Sequence, residues 1–263
     1  MKILIKLSLT AFFVFVFTAC SNSEKKEVEI VDNNFSKTYC SNDSALRAKL
    51  TINLQTIRNL KNKVIQEFIN DRIKDGVFSQ LTDYNPNNVK KNTQDSIAVN
   101  FFNEYKSFLK DFPDYQISWE ISVYDSVIFL NNYFVTVKTS GLFFTGGAHP
   151  NSFSNFQTYN LTSVIKPTLQ NIFKPDFKSK LLKIAEKEFR KQKGSSSTAD
   201  LNKAGYWFKN NKFTLSKNWG IVKTGILFFY NDYEIAPHSM GTTTLIIPFH
   251  EIKKFILNYK LLQ

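Results

Sequence analysis

The stretch ISWEISVYDSVIFLNNYFVTVKTSGLFF, residues 117–144, decides the fold class. Apolar residues at odd positions alternate with polar ones over 117–123, which is typical of a strand with one buried face. Asn131 and Asn132 favour a turn, and β-branched and aromatic residues return over 133–139. The pattern therefore predicts the two arms of an antiparallel hairpin or meander.

Amphipathic helices are predicted on both sides of this hairpin. Apolar residues recur at helical spacing over 57–76 and over 97–109, where the pattern stops before Pro113. A further helix is predicted over 175–193, and helical spacing returns at 252–256. Strand runs interleaved with isolated helices, without a regular strand–helix–strand repeat, indicate an α+β fold in which amphipathic helices pack an antiparallel β-sheet.

The beginning of the chain indicates export. Two lysines precede an apolar run over 7–17, and small residues then lead to Cys20, as in a secretory signal. A cysteine in this position resembles a bacterial lipobox, although Phe17 replaces the usual Leu. Residues 1–19 are therefore predicted as a lipoprotein signal peptide and Cys20 as the residue that carries palmitate-like acyl chains. An ordinary signal peptide with a different cut, or a buried apolar segment, is the alternative.

The rest of the chain divides into a spacer and a body. Residues 20–45 are polar and charged without sustained periodicity, which predicts a flexible tether. Two intimately associated α+β subdomains follow, at 46–165 and 166–263. No later stretch approaches the about 20 apolar residues that a membrane-spanning helix needs. We therefore expect a body tethered to a bacterial membrane in the cell envelope, facing the periplasm or the exterior.

The chain is basic, with 34 Lys and Arg against 22 Asp and Glu and a formal charge of +12. Loss of the two signal-peptide lysines leaves 32 basic residues and +10. This charge favours anionic partners such as envelope polymers or lipid headgroups, whereas export makes nucleic acid a poor candidate. The helix over 175–193 carries the densest positive charge, and either a solvated surface or a binding face explains it. The predicted basic face consists of Lys180, Lys183, Lys187, Arg190 and Lys191.

Two motifs carry a family resemblance, FTGGAHPN at 144–151 and NDYEIAPH at 231–238. With neighbouring strand motifs, residues 50–257 resemble the extracytoplasmic domains of RsiV-type anti-sigma factors and the N-terminal, non-catalytic part of PdaC-type peptidoglycan deacetylases. The resemblance implies an antiparallel sheet packed by helices outside the membrane, near the cell wall, where RsiV-type proteins bind lysozyme. We expect neither the sigma-binding segment of the first type nor the catalytic domain of the second.

The two motif loops are the predicted binding site, because loops on a rigid scaffold commonly carry contacts. Tyrosine rings there can stack on sugars, and the two histidines can form hydrogen bonds with hydroxyl groups. The predicted binding residues are Gly146, Gly147, His149, Asn151, Tyr230, Tyr233, Glu234 and His238. The expected function is a non-enzymatic binding module for cell-wall glycan, or for an envelope or lysozyme-like protein.

Catalysis is the alternative to binding. A cell-wall-directed hydrolase or deacetylase would act through His149, His238 and Glu234, with carboxylates and histidines converging between the loops. Glu234 also has a plainer structural role open to it, which is to bind backbone amides or a lysine and lock the loop after Tyr230. No pair of histidines has the His-x-x-x-His spacing of a helical zinc site, so neither a metal nor a cofactor is expected.

Overall fold

The computed structural model describes residues 27–41, 46–84 and 93–263. The predicted signal peptide, Cys20 and the first part of the predicted tether therefore lie outside the described residues. Within those three ranges, no helix combines the length and the apolarity needed to cross a bilayer.

The described residues form eight strands and five α-helices, joined by short 3-10 turns. In chain order they are β1 (Glu29–Cys40), β2 (Arg47–Arg58), α1 (Lys63–Phe78), α2 (Gln94–Asp111), β3 (Trp119–Leu130), β4 (Phe134–Phe144), β5 (Asn151–Asn160), α3 (Leu169–Ile172), α4 (Phe177–Gln192), β6 (Trp219–Val222), β7 (Gly225–Tyr230), β8 (Thr243–Pro248) and α5 (Phe249–Ile252). The strands make a five-stranded sheet of order β1-β2-β3-β4-β5 and a three-stranded sheet of order β6-β7-β8. We call residues 29–160 the first half and residues 169–262 the second half.

The α+β prediction is confirmed, with one departure from a purely antiparallel arrangement. Strands β2 and β3 pair in parallel, whereas the other neighbours are antiparallel. The chain between β2 and β3 passes through α1 and α2, and a parallel pair needs a crossover of this length.

The central hairpin forms as the alternation predicts. Strands β3 and β4 pair antiparallel, and the Asn131 side chain closes the turn by accepting the backbone N–H groups of Tyr133 and Phe134, both at 2.8 Å. The Asn131 amide also donates to the carbonyls of Leu261 and Gln263, at 3.0 and 2.9 Å. The turn residue therefore also ties the end of the chain to the first half.

The tether prediction is wrong for residues 29–40, which form β1. All twelve residues of this strand pair with β2, from Glu29 opposite Arg58 to Cys40 opposite Arg47. Most of its side chains are exposed because β1 is the outer strand of the sheet. Backbone pairing, which carries no hydrophobic periodicity, therefore orders this polar segment.

The second half packs α4 against its three-stranded sheet, and α4 closely matches the helix predicted over 175–193. Every residue of β7 is buried, because α4 covers this small sheet on one side and the first half contacts it on the other. Phe189 of α4 and Phe228 of β7 are fully buried in the same core. Across the junction, the ring of Phe229 lies 5.3 Å from that of Phe156 on β5.

Two asparagines of the second half cover the backbone of β5, which is an edge strand of the larger sheet. The Asn218 side chain accepts the Phe156 N–H at 2.7 Å and donates to the Ser154 carbonyl at 2.6 Å. The Asn231 side chain accepts the Ser154 N–H at 2.7 Å and donates to the same carbonyl at 3.2 Å. The amide groups thus substitute for the missing neighbouring strand.

The five-stranded sheet has two ends that matter for function. Strand β4 runs from Phe134 to Phe144, which at about 3.3 Å per residue separates the ends by roughly 33 Å. We call the end formed by residues 145–150 and 231–241 the loop end. The opposite end, which includes residues 27–28, 59–63, 130–133 and 161–162, is called the Glu27 end.

Candidate functional site

The two motif loops meet at the loop end. The rings of His149 and His238 are stacked, with centroids 4.6 Å apart and planes inclined by 6°. Tyr233 stacks against His238 at 5.6 Å and 17°. We call these three side chains the ring column. Because His238 lies in the middle, the outward faces of the column belong to His149 and Tyr233.

Glycines allow the first loop to reach this position. Gly146 and Gly147 have φ angles of +100° and +105°, a region that favours glycine because it has no Cβ atom. They turn the chain from β4 towards β5 and place His149 just before Asn151, the exposed first residue of β5. We find no contact of Asn151 with the ring column, and its binding role stays a prediction.

The carboxylate of Glu234 holds the second loop. Its Oε2 atom accepts the backbone N–H of Asn231 at 2.9 Å, and its Oε1 atom accepts the Ser216 hydroxyl at 3.1 Å. These contacts correspond to the structural role predicted for Glu234, in which it binds backbone amides and locks its own loop. The acid that faces His238 is instead Asp232, whose Oδ2 atom lies 3.4 Å from His238 Nδ1.

Both histidines use Nδ1 for contacts with the protein. His149 Nδ1 lies 3.1 Å from the Pro150 carbonyl oxygen, and this contact favours the tautomer that carries its proton on Nδ1. His238 Nδ1 lies 3.4 Å from the Asp232 Oδ2 atom, which is an ion-pair distance. Neither Nε2 atom has a hydrogen-bond partner among the described residues, so in the neutral rings both are free to accept hydroxyl groups. The Oδ1 atom of Asp232 is buried and also lacks a partner in the described part of the chain.

Tyr233 combines exposure with an unusual backbone. Its φ angle is +62°, a region rarely occupied by bulky residues, and its side chain is 52% exposed. Such a conformation costs about 1–3 kcal/mol and is concentrated at functional sites. The strained backbone presents the ring to solvent.

Two residues near the ring column escaped the sequence analysis. The backbone N–H of Trp207 donates to the Ile235 carbonyl at 2.7 Å, which places this 53% exposed tryptophan beside the second loop. Met240 belongs to the same loop and is also exposed. No periodic pattern surrounds Trp207, and the only available signal was the presence of a tryptophan close to a glycine-containing turn.

The predicted binding role of Tyr230 is wrong, because this residue is only 1% exposed. It ends the fully buried strand β7, and its hydroxyl donates to the Thr214 carbonyl at 2.8 Å. Burial raises its pKa above the usual value of a tyrosine. A ligand therefore cannot stack on Tyr230, and Tyr233 is the tyrosine that remains available.

The prediction that Arg190 belongs to the basic face is also wrong. Its guanidinium group is buried, where it pairs with Glu186 at 2.8 Å and donates to the carbonyls of Ser196 at 3.1 Å and Ala199 at 2.9 Å. This group fastens the loop after α4 to the helix. It is not free to meet an external anion.

The lysines of the predicted basic face remain on the surface. Lys183, Lys187 and Lys191 are exposed, and all three line a shallow groove of about 400 Å³. Lys180 lies over the ring of Phe255, 5.4 Å from its centroid. Binding of an anionic polymer by these lysines stays a prediction.

The chemistry of the loop end is that of stacking and hydrogen bonding, with one acid–histidine pair. Within the described ranges, no group of three His, Cys, Asp or Glu side chains is arranged to hold a metal ion. Asp232 and His238 form the pair that would move a proton if the site were catalytic.

Comparison with known families agrees with this division of the chain. Two family models match, one in each half. Residues 40–152 match the family described as Deacetylase PdaC. Residues 170–250 match the family described as Protein of unknown function (DUF3298). The first match ends just after His149, and the second includes Tyr233 and His238, so the ring column joins residues from both matched regions.

Solved structures share the fold across both halves. A DUF3298-family protein from Bacteroides fragilis NCTC 9343 is 18% identical, with a TM-score of 0.71, over 90% of this chain and 97% of its own. A DUF3298-family protein from Pseudomonas aeruginosa PAO1 is 16% identical, with a TM-score of 0.62, over 89% and 95%. Among curated proteins, no match is found.

Proposed function

We propose that this chain is a lipid-anchored protein of the bacterial cell envelope that binds cell-wall glycan at the loop end. The anchor is supported by the lipobox-like sequence before Cys20. The location is supported by the export signal and by the resemblance of residues 50–257 to extracytoplasmic modules, with which the match of residues 40–152 to the family described as Deacetylase PdaC agrees. The ring column is the single observation that carries the binding function.

A glycan suits the ring column for chemical reasons. The apolar face of a sugar ring packs on an aromatic face, and the outward faces of Tyr233 and His149 are available. The free Nε2 atoms can accept sugar hydroxyls at the same time. The positive charge of the chain favours encounter with anionic wall polymers.

The test is co-sedimentation of the purified protein with isolated peptidoglycan. We expect His149→Ala to weaken binding by about tenfold, because it removes one stacking face and one hydrogen-bonding nitrogen, together worth about 1–2 kcal/mol. His250→Ala is the matched control, since His250 is exposed and its contact is with Glu251 at 3.6 Å, outside the ring column. Equal binding by both variants and the unaltered protein would refute the assignment of the site.

A second candidate function is hydrolysis or deacetylation of the same polymer. It is favoured by the Asp232 and His238 pair, in which the carboxylate orients the imidazole for proton transfer. The measurement is release of acetate or of reducing ends from the peptidoglycan used for binding. Release that disappears in Asp232→Asn, while that variant still binds, would establish this function in place of binding alone.

A further inference from the structure

The Glu27 end carries apolar side chains on its surface, around a groove of about 1570 Å³. Val64, which lies between the groove-lining residues Lys63 and Ile65, is 67% exposed. Leu130 in the lining and Tyr133 just beyond it are also exposed. Single exposed apolar residues are common, but a cluster around one groove indicates an interaction surface. The groove lining includes Val28, Leu60, Lys61, Lys63, Leu130 and Leu161.

The path of the chain shows what lies next to this surface. Glu27 and Val28, the first described residues, line the groove. Seven residue steps separate Cys20 from Glu27, and a chain of that length spans at most about 25 Å. Acyl chains on Cys20 would therefore hold the Glu27 end close to the bilayer, whatever the path of the intervening residues.

The charges of this end suit an anionic surface. Lys61 in the loop before α1 and Lys63, the first residue of α1, are both exposed, and Val64 follows Lys63 directly. Glu27 is the acidic residue in the groove lining. Lysines beside apolar side chains are the composition of surfaces that rest on the lipid headgroup region, where the apolar groups enter the interface and the ammonium groups meet phosphate.

We infer that the Glu27 end seats on the headgroup region of the bilayer that carries the anchor. Val64, Leu130 and Tyr133 enter the interface, and Lys61 and Lys63 contact anionic headgroups. This inference rests on the proposed lipid anchor. Because the ring column lies at the opposite end of a sheet roughly 33 Å long, the seat directs the binding site away from the membrane and towards the wall.

The experiment uses the lipidated protein in vesicles of phosphatidylcholine and phosphatidylglycerol. A fluorophore is attached at Asn132→Cys in the Glu27 end or at Ala148→Cys in the loop end, both in a Cys40→Ser background. Cys40 is exposed and would otherwise react. Bromine on the lipid chains quenches only a nearby fluorophore. We expect loss of fluorescence at position 132 and none at position 148.

Charge reversal then tests the role of the lysines. Lys61→Glu with Lys63→Glu should reduce quenching at position 132, whereas Lys183→Glu with Lys187→Glu, an equal charge change on α4, should not. Vesicle flotation distinguishes the lipid anchor from the contact of the Glu27 end with the bilayer, which we call the seat. A protein that floats with the vesicles but shows equal quenching at both positions, or none at 132, retains the anchor and overturns the seat. A protein that does not float refutes the anchor, and the seat with it.

Discussion

The loop end and the Glu27 end differ in how many parts of the chain build them. At the loop end, His149 comes from the first half, and Tyr233 and His238 come from the second. At the Glu27 end, the whole groove lining lies between Glu27 and Thr162, within or beside the first half. The binding site therefore exists only when the two halves are docked, whereas the groove at the other end is lined by the first half and the residues beside it, and the end of the chain meets it at Asn131.

The largest expected effect is on the stability of the fold, which both ends share. Asp125 lies midway along β3, 3% exposed, and its Oδ1 atom accepts the Thr139 hydroxyl at 2.6 Å. Burial raises the pKa of Asp125 from 3.8 to about 7, although the hydrogen bond from Thr139 opposes the shift. Below pH 4 the carboxyl group is protonated in both the folded and the unfolded chain. Between pH 4 and 7 the unfolded chain loses this proton first, so the contribution of Asp125 to the free energy of unfolding falls by up to about 4 kcal/mol and is then constant.

Asp125→Asn checks this assignment. The neutral amide still accepts the Thr139 hydroxyl, so the variant should be more stable than the unaltered protein at pH 8 and nearly equal to it at pH 4. The measurement is denaturant unfolding at a series of pH values, and the difference between the two proteins isolates Asp125 from other titrating groups. A constant difference across the range would show that Asp125 ionises normally in the fold.

A disturbed junction between the halves should affect the loop end and leave the Glu27 end unchanged, because the ring column depends on the docking of the halves. A Cβ atom on Gly220 would lie 2.6 Å from the Thr136 Cγ2 atom, across the junction of the two sheets. We expect Gly220→Ala to lower the free energy of unfolding by about 2 kcal/mol through overpacking, and to weaken glycan binding. Fluorescence quenching at position 132 on vesicles should be unchanged.

Thr136→Ser offers a rescue of that variant. Serine lacks the clashing methyl group but keeps the hydroxyl that lies 2.9 Å from Thr158 Oγ1. The double variant should therefore recover most of the stability and the binding lost by Gly220→Ala. Failure of this rescue would mean that the junction is disturbed by another contact.

Asn218 and Asn231, which bind the backbone of β5 and which we call the asparagine clamp, allow a milder version of the same test. Asn218→Ala leaves the Phe156 N–H and the Ser154 carbonyl without these partners, which we expect to cost about 1–2 kcal/mol of stability. Asn218→Asp keeps an acceptor for the N–H group but turns an oxygen towards the carbonyl. Thermal unfolding should place Asn218→Asp below the alanine variant, because a carboxylate oxygen so close to the Ser154 carbonyl oxygen is repelled by it. No change in either variant would show that the clamp is not needed at this edge.

Much of the fold could be predicted because local patterns specify it. The alternation over 117–123 and the turn at Asn131 gave β3 and β4, and the helical spacing over 175–193 gave α4. Strand β1 was missed because its side chains are mostly polar and exposed, so only its backbone pairing with β2 reveals it. The helix predicted over 57–76 spans Lys63–Phe78 instead, because Ile57 is a buried residue of β2 that extends the helical spacing by chance.

The site was harder to predict because proximity and burial are not visible in a motif. Tyr230 and Tyr233 are close in sequence, yet the first is buried in a strand and the second projects from a strained turn. Arg190 shares the spacing of its neighbouring lysines, but its planar group reaches backbone carbonyls of the next loop. The stacking of His149 on His238 requires two loops that are far apart in sequence to be brought together by the docking of the halves.

The smallest expected effect compares the two ends through their backbone. Tyr233 at the loop end and Asn59 at the Glu27 end both have positive φ angles, +62° and +61°. Glycine adopts this region without strain, although it also makes the unfolded chain more flexible. Tyr233→Gly should therefore leave the free energy of unfolding within about 1 kcal/mol, or raise it, because relief of strain offsets the added flexibility. Asn59→Gly should lower the free energy of unfolding relative to Tyr233→Gly, since asparagine already tolerates this conformation and less strain is relieved.

Glycan binding should separate these two variants clearly. Tyr233→Gly removes an outward face of the ring column and should weaken co-sedimentation with peptidoglycan by about tenfold, a stacking contribution of about 1 kcal/mol or more. Asn59→Gly should bind as the unaltered protein does, because it leaves the loop end intact. If Tyr233→Gly is markedly less stable, its ring supports the fold, and a loss of binding would then have no bearing on stacking. A variant that is equally stable and binds less well would show that strain at Tyr233 is retained for the exposed ring and not for the fold.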